Sequence, residues 1–219
     1  MIVPNIIVDN FFTYPDKIRE FGLAQPFYKD PQGRWPGVRT DYLHEANSEF
    51  CHKLLNKIFS LTQNIHMESP DYTCSLHFQK VDAPYKGGWV HVDGDNTVAA
   101  FIIYLSPNAD INEGTSLYTV KNPLSFDTHL HLDKRAESFK NSNLVSDIEK
   151  YRIEANNQYK ETMFVGNVYN RLFMFDANNY HGVKDFVSSS SDPRLTLIGF
   201  IHDINAKHSP IRRVRNIHL

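Results

Sequence analysis

The stretch WVHVDGDNTVAAFIIYL, residues 89–105, places a histidine and an aspartate directly before a long apolar run. Side chains of a β-strand point alternately to its two faces. A run such as 97–105, apolar at nearly every position, therefore predicts a strand that is buried on both sides. His91 and Asp93 are two residues apart and would share a face. They are either solvated residues of a turn or two ligands of a metal site, and the pair alone favours the turn.

Further short β-rich runs follow Pro70 and are separated by turn residues; they are YTCSLHFQKV, TSLYTV, RLFMFD and RLTLIGFIHDI. The last of them, at 194–204, is again apolar on both faces over 195–201 and should lie centrally in a sheet. No alternation of strands with helices is visible, which argues against a parallel α/β fold. The pattern predicts a mainly antiparallel β-sandwich or jelly roll with helices.

The first part of the chain, about 1–66, is predicted to be helical and to support this sheet. The segment 13–27 has Thr13 and Asp16 at capping-box spacing, with Pro15 suited to a first helical turn. The segment 48–61 has apolar residues at helical spacing, namely Phe50, Leu54, Ile58 and Leu61. We expect one domain over 1–219, with a β core at about 70–204. A polar insertion at about 125–162 interrupts the core, and one helix is predicted near Ser146, with Glu149 at capping-box spacing.

Composition excludes several classes of protein. The formal net charge is −2, which gives no bulk electrostatic reason to expect nucleic acid as a partner. The basic stretch IRRVR at 211–215 is a local exception, predicted to be solvated surface. No apolar stretch approaches the roughly 18 residues of a membrane span, and the N-terminus does not resemble a signal peptide. Cys51 and Cys74 form no CxxC pair, so we expect free thiols in a cytoplasmic protein, with Cys51 buried as a small hydrophobic residue.

A metal site built on His91 and Asp93 needs a further ligand from a distant strand. His181 begins a segment directly after a β-rich run and a polar turn. Thirteen residues later Arg194 and Thr196 lie two apart on a predicted strand and share a face. A buried arginine fork calls for a bidentate anionic partner, and a neighbouring hydroxyl adds one hydrogen bond. A small dicarboxylate would fit, with one end on the metal and the other on Arg194.

These segments occur in a familiar order. HFQKVDAPYKGGWVHVD, AAFIIYLSP, NEGTSLY, YHGV and RLT together resemble the iron(II)- and 2-oxoglutarate-dependent dioxygenases, in particular the prolyl-hydroxylase-like group, over about 72–202. The resemblance implies a double-stranded β-helix, also called a jelly roll or cupin-like fold. It implies that His91, Asp93 and His181 bind Fe(II), that Arg194 and Thr196 bind 2-oxoglutarate, and that Tyr104 either contacts the same carboxylate or is a core aromatic. The family's frequent double glycine is Glu113–Gly114 here, which leaves the geometry of that turn open.

The resemblance implies an O₂-dependent enzyme that decarboxylates 2-oxoglutarate while hydroxylating a prime substrate. The sequence does not identify that substrate, which could be a small molecule or a peptidyl residue, nor the oligomeric state. Two alternatives stay open: a jelly-roll metalloenzyme that does not use 2-oxoglutarate, and a non-catalytic β-sandwich binding or structural protein. His129 and His131 could form a second metal site, although a solvated loop is the stronger interpretation. His77 and Gln79 share a strand face and are predicted to line the pocket.

Overall fold

Two antiparallel β-sheets form the centre of the structure, a computed structural model that describes residues 3–62, 70–81, 85–94, 96–186 and 193–205. The basic stretch 211–215 lies outside these residues. The larger sheet contains β1 (Ile6–Val8), β2 (Val38–Arg39), β3 (Asp71–Val81), β4 (Ala99–Tyr104), β7 (Leu172–Asp176) and β9 (Arg194–Asn205), in the order β1-β7-β4-β9-β3-β2. The smaller sheet contains β5 (Thr115–Val120), β6 (Tyr159–Val165) and β8 (Tyr180–Val183), in the order β6-β5-β8.

The two strands predicted to be central are central. β4 and β9 pair with each other and lie in the middle of the larger sheet, with the register Tyr104↔Thr196 at one end. Their alternate residues meet two different layers, which is why both faces are apolar. The mainly β class with some helices is therefore confirmed, and the facing antiparallel sheets are consistent with a jelly roll.

Helices cover one face of the larger sheet. α1 (Pro15–Leu23) and α2 (Leu43–Phe59) pack there, with Leu54 and Ile58 of α2 in the core as predicted. Pro15 occupies the first turn of α1, but the helix begins after Tyr14 and no side chain caps it, so the predicted Thr13 capping box is wrong. Among the described residues, no helix combines the length and the apolar character needed to cross a bilayer.

The opposite face of the larger sheet packs on the smaller sheet. Ala100, Phe173 and Phe175 meet Leu117 and Val165 across the gap between the sheets. Because strand side chains alternate, Arg194 and Thr196 also point into this gap, whereas Leu195 and Leu197 join the core under the helices. The space between the sheets is therefore where strand polar groups can meet.

The polar insertion joins β5 to β6 and contains two helices, α3 (Leu132–Lys140) and α4 (Val145–Asn156). Only the second was predicted. α4 begins after Leu144 with no side-chain cap, so the predicted capping box at Ser146 is wrong. The insertion also ends earlier than predicted, because β6 begins at Tyr159. Phe139 and Ile148 of these helices pack on Tyr85, Trp89 and Phe186 in a separate apolar cluster.

Candidate metal centre

His91 and His181 are brought together by their backbones. The His91 amide donates to the His181 carbonyl over 3.0 Å, and the His181 amide donates to the His91 carbonyl over 2.8 Å. Three residues earlier the Gly88 amide donates to Val183 over 2.7 Å, so the segment before His91 runs along the free edge of β8. A Cβ on Gly88 would lie 2.7 Å from the Val183 nitrogen, a distance that real Cβ atoms do not adopt. This glycine permits the close approach.

The two imidazole rings are oriented so that each turns one nitrogen toward Asp93. His91 Nδ1 lies 2.8 Å from the Trp89 carbonyl oxygen, and His181 Nδ1 lies 2.9 Å from that of Asn179. A carbonyl only accepts hydrogen bonds, so each Nδ1 carries a proton, and the neutral tautomer that this contact selects has its lone pair on Nε2. This is the tautomer in which protein histidines bind a metal through Nε2.

Asp93 completes a group of three candidate ligands. Its Oδ1 lies 3.9 Å from His91 Nε2 and 3.7 Å from His181 Nε2, and its Oδ2 is buried without a hydrogen-bond partner. Burial raises the pKa of Asp93 and, together with the positive charges nearby, lowers the pKa of His91. Burial is the largest cause of both shifts, and for Asp93 it outweighs the opposing effect of nearby positive groups such as Arg39 and Arg135. Two histidines with one carboxylate are a known set of ligands for non-haem iron.

Among the described residues, the other histidine pair, His129 and His131, is not part of a group of three candidate ligands. His131 Nε2 contacts Glu154 over 3.0 Å and its ring packs on Tyr151, while His129 is exposed. Within the described ranges, His91, Asp93 and His181 are the single group of three or more histidine, cysteine or acidic side chains whose ligand atoms come together, all within 4.8 Å of one another.

Arg194 and Thr196 form a second polar feature in the same gap. Arg194 is 3% exposed; its Nε donates to the Glu113 carbonyl over 3.0 Å, and its Nη2 is buried without a partner. The hydroxyl of Thr196 is also buried without a partner. Buried polar groups are nearly always hydrogen-bonded. Two orphan groups on one strand face therefore indicate a place for a ligand, and a planar guanidinium suits a carboxylate.

Tyr104 is fully buried behind this position. Its hydroxyl donates to Thr115 Oγ1 over 2.9 Å, and the Arg194 guanidinium lies over its ring at 5.5 Å. Thr115 and Arg194 line the cavity, and Tyr104 lies behind them. Tyr104 therefore packs against two residues that line the cavity, Thr115 and Arg194. Its direct contact with a ligand stays a prediction.

A cavity of about 110 Å³ connects the candidate metal ligands with Arg194, whereas Thr196 is not among its lining residues. This volume is several times the volume that one water molecule occupies. Its base holds His91, Asp93, His181 and Arg194. Gln79 lines it as predicted, but His77 does not, because its Nδ1 bonds the Thr40 carbonyl over 2.8 Å and its ring packs on Tyr42.

The outer wall of the cavity was not predicted from the sequence. It comes from the loop before β2, from β2 itself and from α3, and its residues include Trp35, Arg39, Arg135 and Phe139. No local pattern marks them, since loop and insertion residues reach the cavity only through the tertiary fold. A polar insertion near the site was the one available signal.

Comparison with known proteins fixes the family. A profile described as "Family of unknown function (DUF6445)" matches residues 3–201. The chain belongs to this family. No protein of curated function matches this DUF6445 chain by sequence.

Solved structures resemble the DUF6445 chain in fold. One is HygX from Streptomyces hygroscopicus with nickel and 2-oxoglutarate bound, at 14% identity and a TM-score of 0.52, covering 90% of this chain and 82% of that one. A prolyl hydroxylase from Trichoplax adhaerens gives 13% identity, a TM-score of 0.52 and coverage of 91% and 83%. The epimerase SnoN, in complex with Fe³⁺, α-ketoglutarate and nogalamycin RO, gives 11% identity and a TM-score of 0.53. The match covers 91% of this chain and 78% of the SnoN chain. The resemblance to 2-oxoglutarate oxygenases is confirmed at the level of fold.

Proposed function

We propose that this chain is an Fe(II)- and 2-oxoglutarate-dependent oxygenase whose two sheets form a double-stranded β-helix. One observation carries the proposal. Three polar atoms in one gap, Asp93 Oδ2, Arg194 Nη2 and Thr196 Oγ1, are buried without hydrogen-bond partners. A metal ion would satisfy the first atom, and the far carboxylate of a metal-bound 2-oxoglutarate would satisfy the other two.

The proposed roles follow from the contacts of each side chain. His91 and His181 would bind the metal through Nε2, held in the correct tautomer by the carbonyls of Trp89 and Asn179. Asp93 would be the anionic ligand. Three protein ligands leave coordination positions open for 2-oxoglutarate and O₂. When bound, iron and 2-oxoglutarate would supply the oxidation of a prime substrate, with decarboxylation of 2-oxoglutarate to succinate.

The chain itself contributes position and a restricted environment. Arg194 is fixed in direction, because its Nε donates to the Glu113 carbonyl and its guanidinium lies against the ring of Tyr104. Ala100, Phe175, Ile198 and Phe200 supply apolar surface to the cavity. Apolar walls exclude water and strengthen the charge-assisted bonds of the ligands.

The two alternatives predict different behaviour. A metalloenzyme that does not use 2-oxoglutarate would need the three metal ligands but no buried arginine and threonine facing the same gap. A non-catalytic protein of this fold would need neither set. The orphan groups on β9 therefore favour 2-oxoglutarate over both.

The test is anaerobic addition of Fe(II) and 2-oxoglutarate, which should give the weak visible charge-transfer band of a chelated keto acid. His181→Ala should remove the band, whereas His129→Ala, an exposed histidine outside the group, should keep it. In air the wild type should form succinate slowly without any prime substrate. A band of full strength in His181→Ala would show that the metal ligands are wrongly assigned. A band without succinate would favour the non-catalytic alternative.

A further inference from the structure

We infer that the prime substrate is a small carboxylic acid whose carboxylate is bound by Arg39 and Arg135 at the outer wall of the cavity. This inference rests on the proposed function, in which the metal and 2-oxoglutarate occupy the base of the cavity. It concerns two arginines that no part of that function uses.

Arg39 is a half-buried cation with no carboxylate in ion-pair contact among the described residues. Its Nε is buried and has no hydrogen-bond partner, and its Nη2 has one long contact of 3.5 Å to Gln79 Oε1. The rings of Trp35 and Phe200 lie 4.5 and 5.5 Å from its Cζ. Burial lowers the pKa of Arg39 to about 9, despite the opposing effect of Asp93. With two aromatic rings against the guanidinium, its N–H edge is left to meet a ligand, which suits the two coplanar oxygens of a carboxylate.

Arg135 is a second cation of the same wall. It comes from α3 of the insertion, its guanidinium lies 5.7 Å from the ring of Phe139, and it lowers the pKa of Asp93 as Arg39 does. Across the described part of the chain, neither Arg39 nor Arg135 has a carboxylate within 4.0 Å. Arg34, at the same rim, differs because Asp30 neutralises it at 2.9 Å.

Charge balance leaves these two cations uncompensated. Asp93 is the single acidic residue among the described residues that line the cavity. Under the proposed function, the divalent metal and Arg194 are balanced by Asp93 and the dianion of 2-oxoglutarate. The charges of Arg39 and Arg135 then remain, in a low-dielectric space where unpaired charge is costly. A substrate that brings a carboxylate to this wall removes that cost.

The experiment uses the protein saturated with Ni(II) and 2-oxoglutarate, titrated by calorimetry with matched pairs of acid and amide. The probes are propionate and 3-phenylpropionate, propionamide and 3-phenylpropionamide, with phenyl phosphate as a further arm. We expect an acid to bind at least tenfold more tightly than its amide, a difference of about 1.4 kcal/mol. Arg39→Gln and Arg135→Gln should each reduce acid binding about to the level of the amide. The affinity for 2-oxoglutarate should change less than twofold in both variants.

The controls separate charge from folding. Arg19→Gln, on α1 away from the cavity, should leave acid binding unchanged, and Arg39→Lys should retain part of it because the charge is kept. Each variant must first show a cooperative melt. The inference is overturned if acid and amide bind equally, if no acid binds with a Kd below about 10 mM, or if phenyl phosphate binds and the carboxylates do not. It is also overturned if Arg39→Gln loses 2-oxoglutarate, since Arg39 would then hold the cosubstrate.

Failure of the proposed function gives a different result. In that case the wild type would not bind Ni(II) and 2-oxoglutarate before any probe is added. The same titration on the metal-free protein would then test the arginine pair alone. Selective binding of acids that is lost in Arg39→Gln and Arg135→Gln would support the pair, and its absence would overturn it.

Discussion

The rings of His91 and His181 lie 4.4 Å apart between centroids, and the same two residues exchange a pair of backbone hydrogen bonds. Their side chains are thus placed by an antiparallel β-bridge rather than by flexible loops. Both rings have their tautomer set by a carbonyl two residues earlier in the chain. A metal would therefore meet ligands that are already oriented, and it would lose little affinity to ordering them.

Asp93→Asn should stabilise the metal-free protein and abolish its stabilisation by metal. The variant replaces a buried carboxylate, whose Oδ2 has no partner, by a neutral group that costs less to bury. Without metal, we expect the variant to melt several degrees above the wild type. Each kcal/mol of added unfolding free energy raises the melting temperature by about 2–4 °C in a chain of this size. Ni(II) at 100 times its Kd should stabilise the wild type by about 2.7 kcal/mol and the variant by much less.

Differential scanning fluorimetry with and without Ni(II) measures both effects. Asp133→Asn, an exposed carboxylate on α3, is the matched control and should behave as the wild type. An equal response of wild type and Asp93→Asn to Ni(II) would remove Asp93 from the metal site.

Arg194→Ala should weaken 2-oxoglutarate binding without affecting the metal. Loss of a buried charge-assisted contact costs about 2–5 kcal/mol, or roughly 30-fold or more in Kd. Arg194→Lys keeps the charge but cannot present a planar fork, so it should recover only part of the affinity. Lys184→Gln is the control, since Lys184 lies at the surface, 3.6 Å from Glu161. Calorimetric titration of the Ni(II) form reads the effect, and a comparable loss in Lys184→Gln would make Lys184 the binding residue.

Asn156→Ala should weaken metal binding although Asn156 is not a ligand. Its side chain accepts from the Val90 amide and donates to the Gly88 carbonyl, both over 2.9 Å, and so holds the segment that carries His91. Changes of this supporting kind typically cost about 10–100-fold in metal affinity. Asn143→Ala, exposed in the same insertion, should have no effect. If Ni(II) affinity is unchanged while the melting temperature falls, the role of Asn156 is structural only.

Gly199→Ala should destabilise the core, mainly through Phe101 and less severely through Leu76, whose Cδ2 would lie 2.8 Å from the new Cβ. A Cβ at this position would lie 2.1 Å from Cζ of Phe101, its cross-strand partner on β4. Overpacking of this kind typically costs about 1–3 kcal/mol. Phe101→Leu should relieve the clash. The double variant should therefore lose less unfolding free energy than the sum of the losses in the two single variants, and the difference should be about 0.5–3 kcal/mol. Urea unfolding measures the cycle. Gly94→Ala, where a Cβ meets nothing within 4 Å, is the control.

The sequence predicted best those elements whose burial shows directly in the residue pattern. The apolar runs at 97–105 and 194–204 became the central strands because both of their faces are covered. β1 was missed because three residues carry little periodicity, and its place is set by pairing with β7. α3 was missed although Leu132, Ala136 and Phe139 lie at helical spacing, because its nine residues are too few for three apolar positions to stand out in a polar insertion.

The candidate site divides in the same way. His91, Asp93, His181, Arg194 and Thr196 could be selected from their order and spacing in the sequence. Of these, His181, Arg194 and Thr196 lie on strands, whereas His91 forms an isolated bridge and Asp93 lies in the segment before β4. Arg39 and Arg135 could not, because 96 positions separate them in the chain and only tertiary packing places both at the cavity. The two capping boxes failed since suitable spacing at Thr13 and Ser146 does not fix where a helix begins.

The cavity wall has an evolutionary consequence. Its base is carried by β8, by β9 and by the segment of His91, which bridges to β8, so a substitution there disturbs the sheets as well as the site. Its outer wall is carried by the segment 34–39 and by α3. Most side chains of these two segments are exposed or half-buried. Divergence can therefore act on these two segments while the base stays fixed. A change of chemical preference would then need only a few substitutions in them, and relatives with the same base could serve different metabolites.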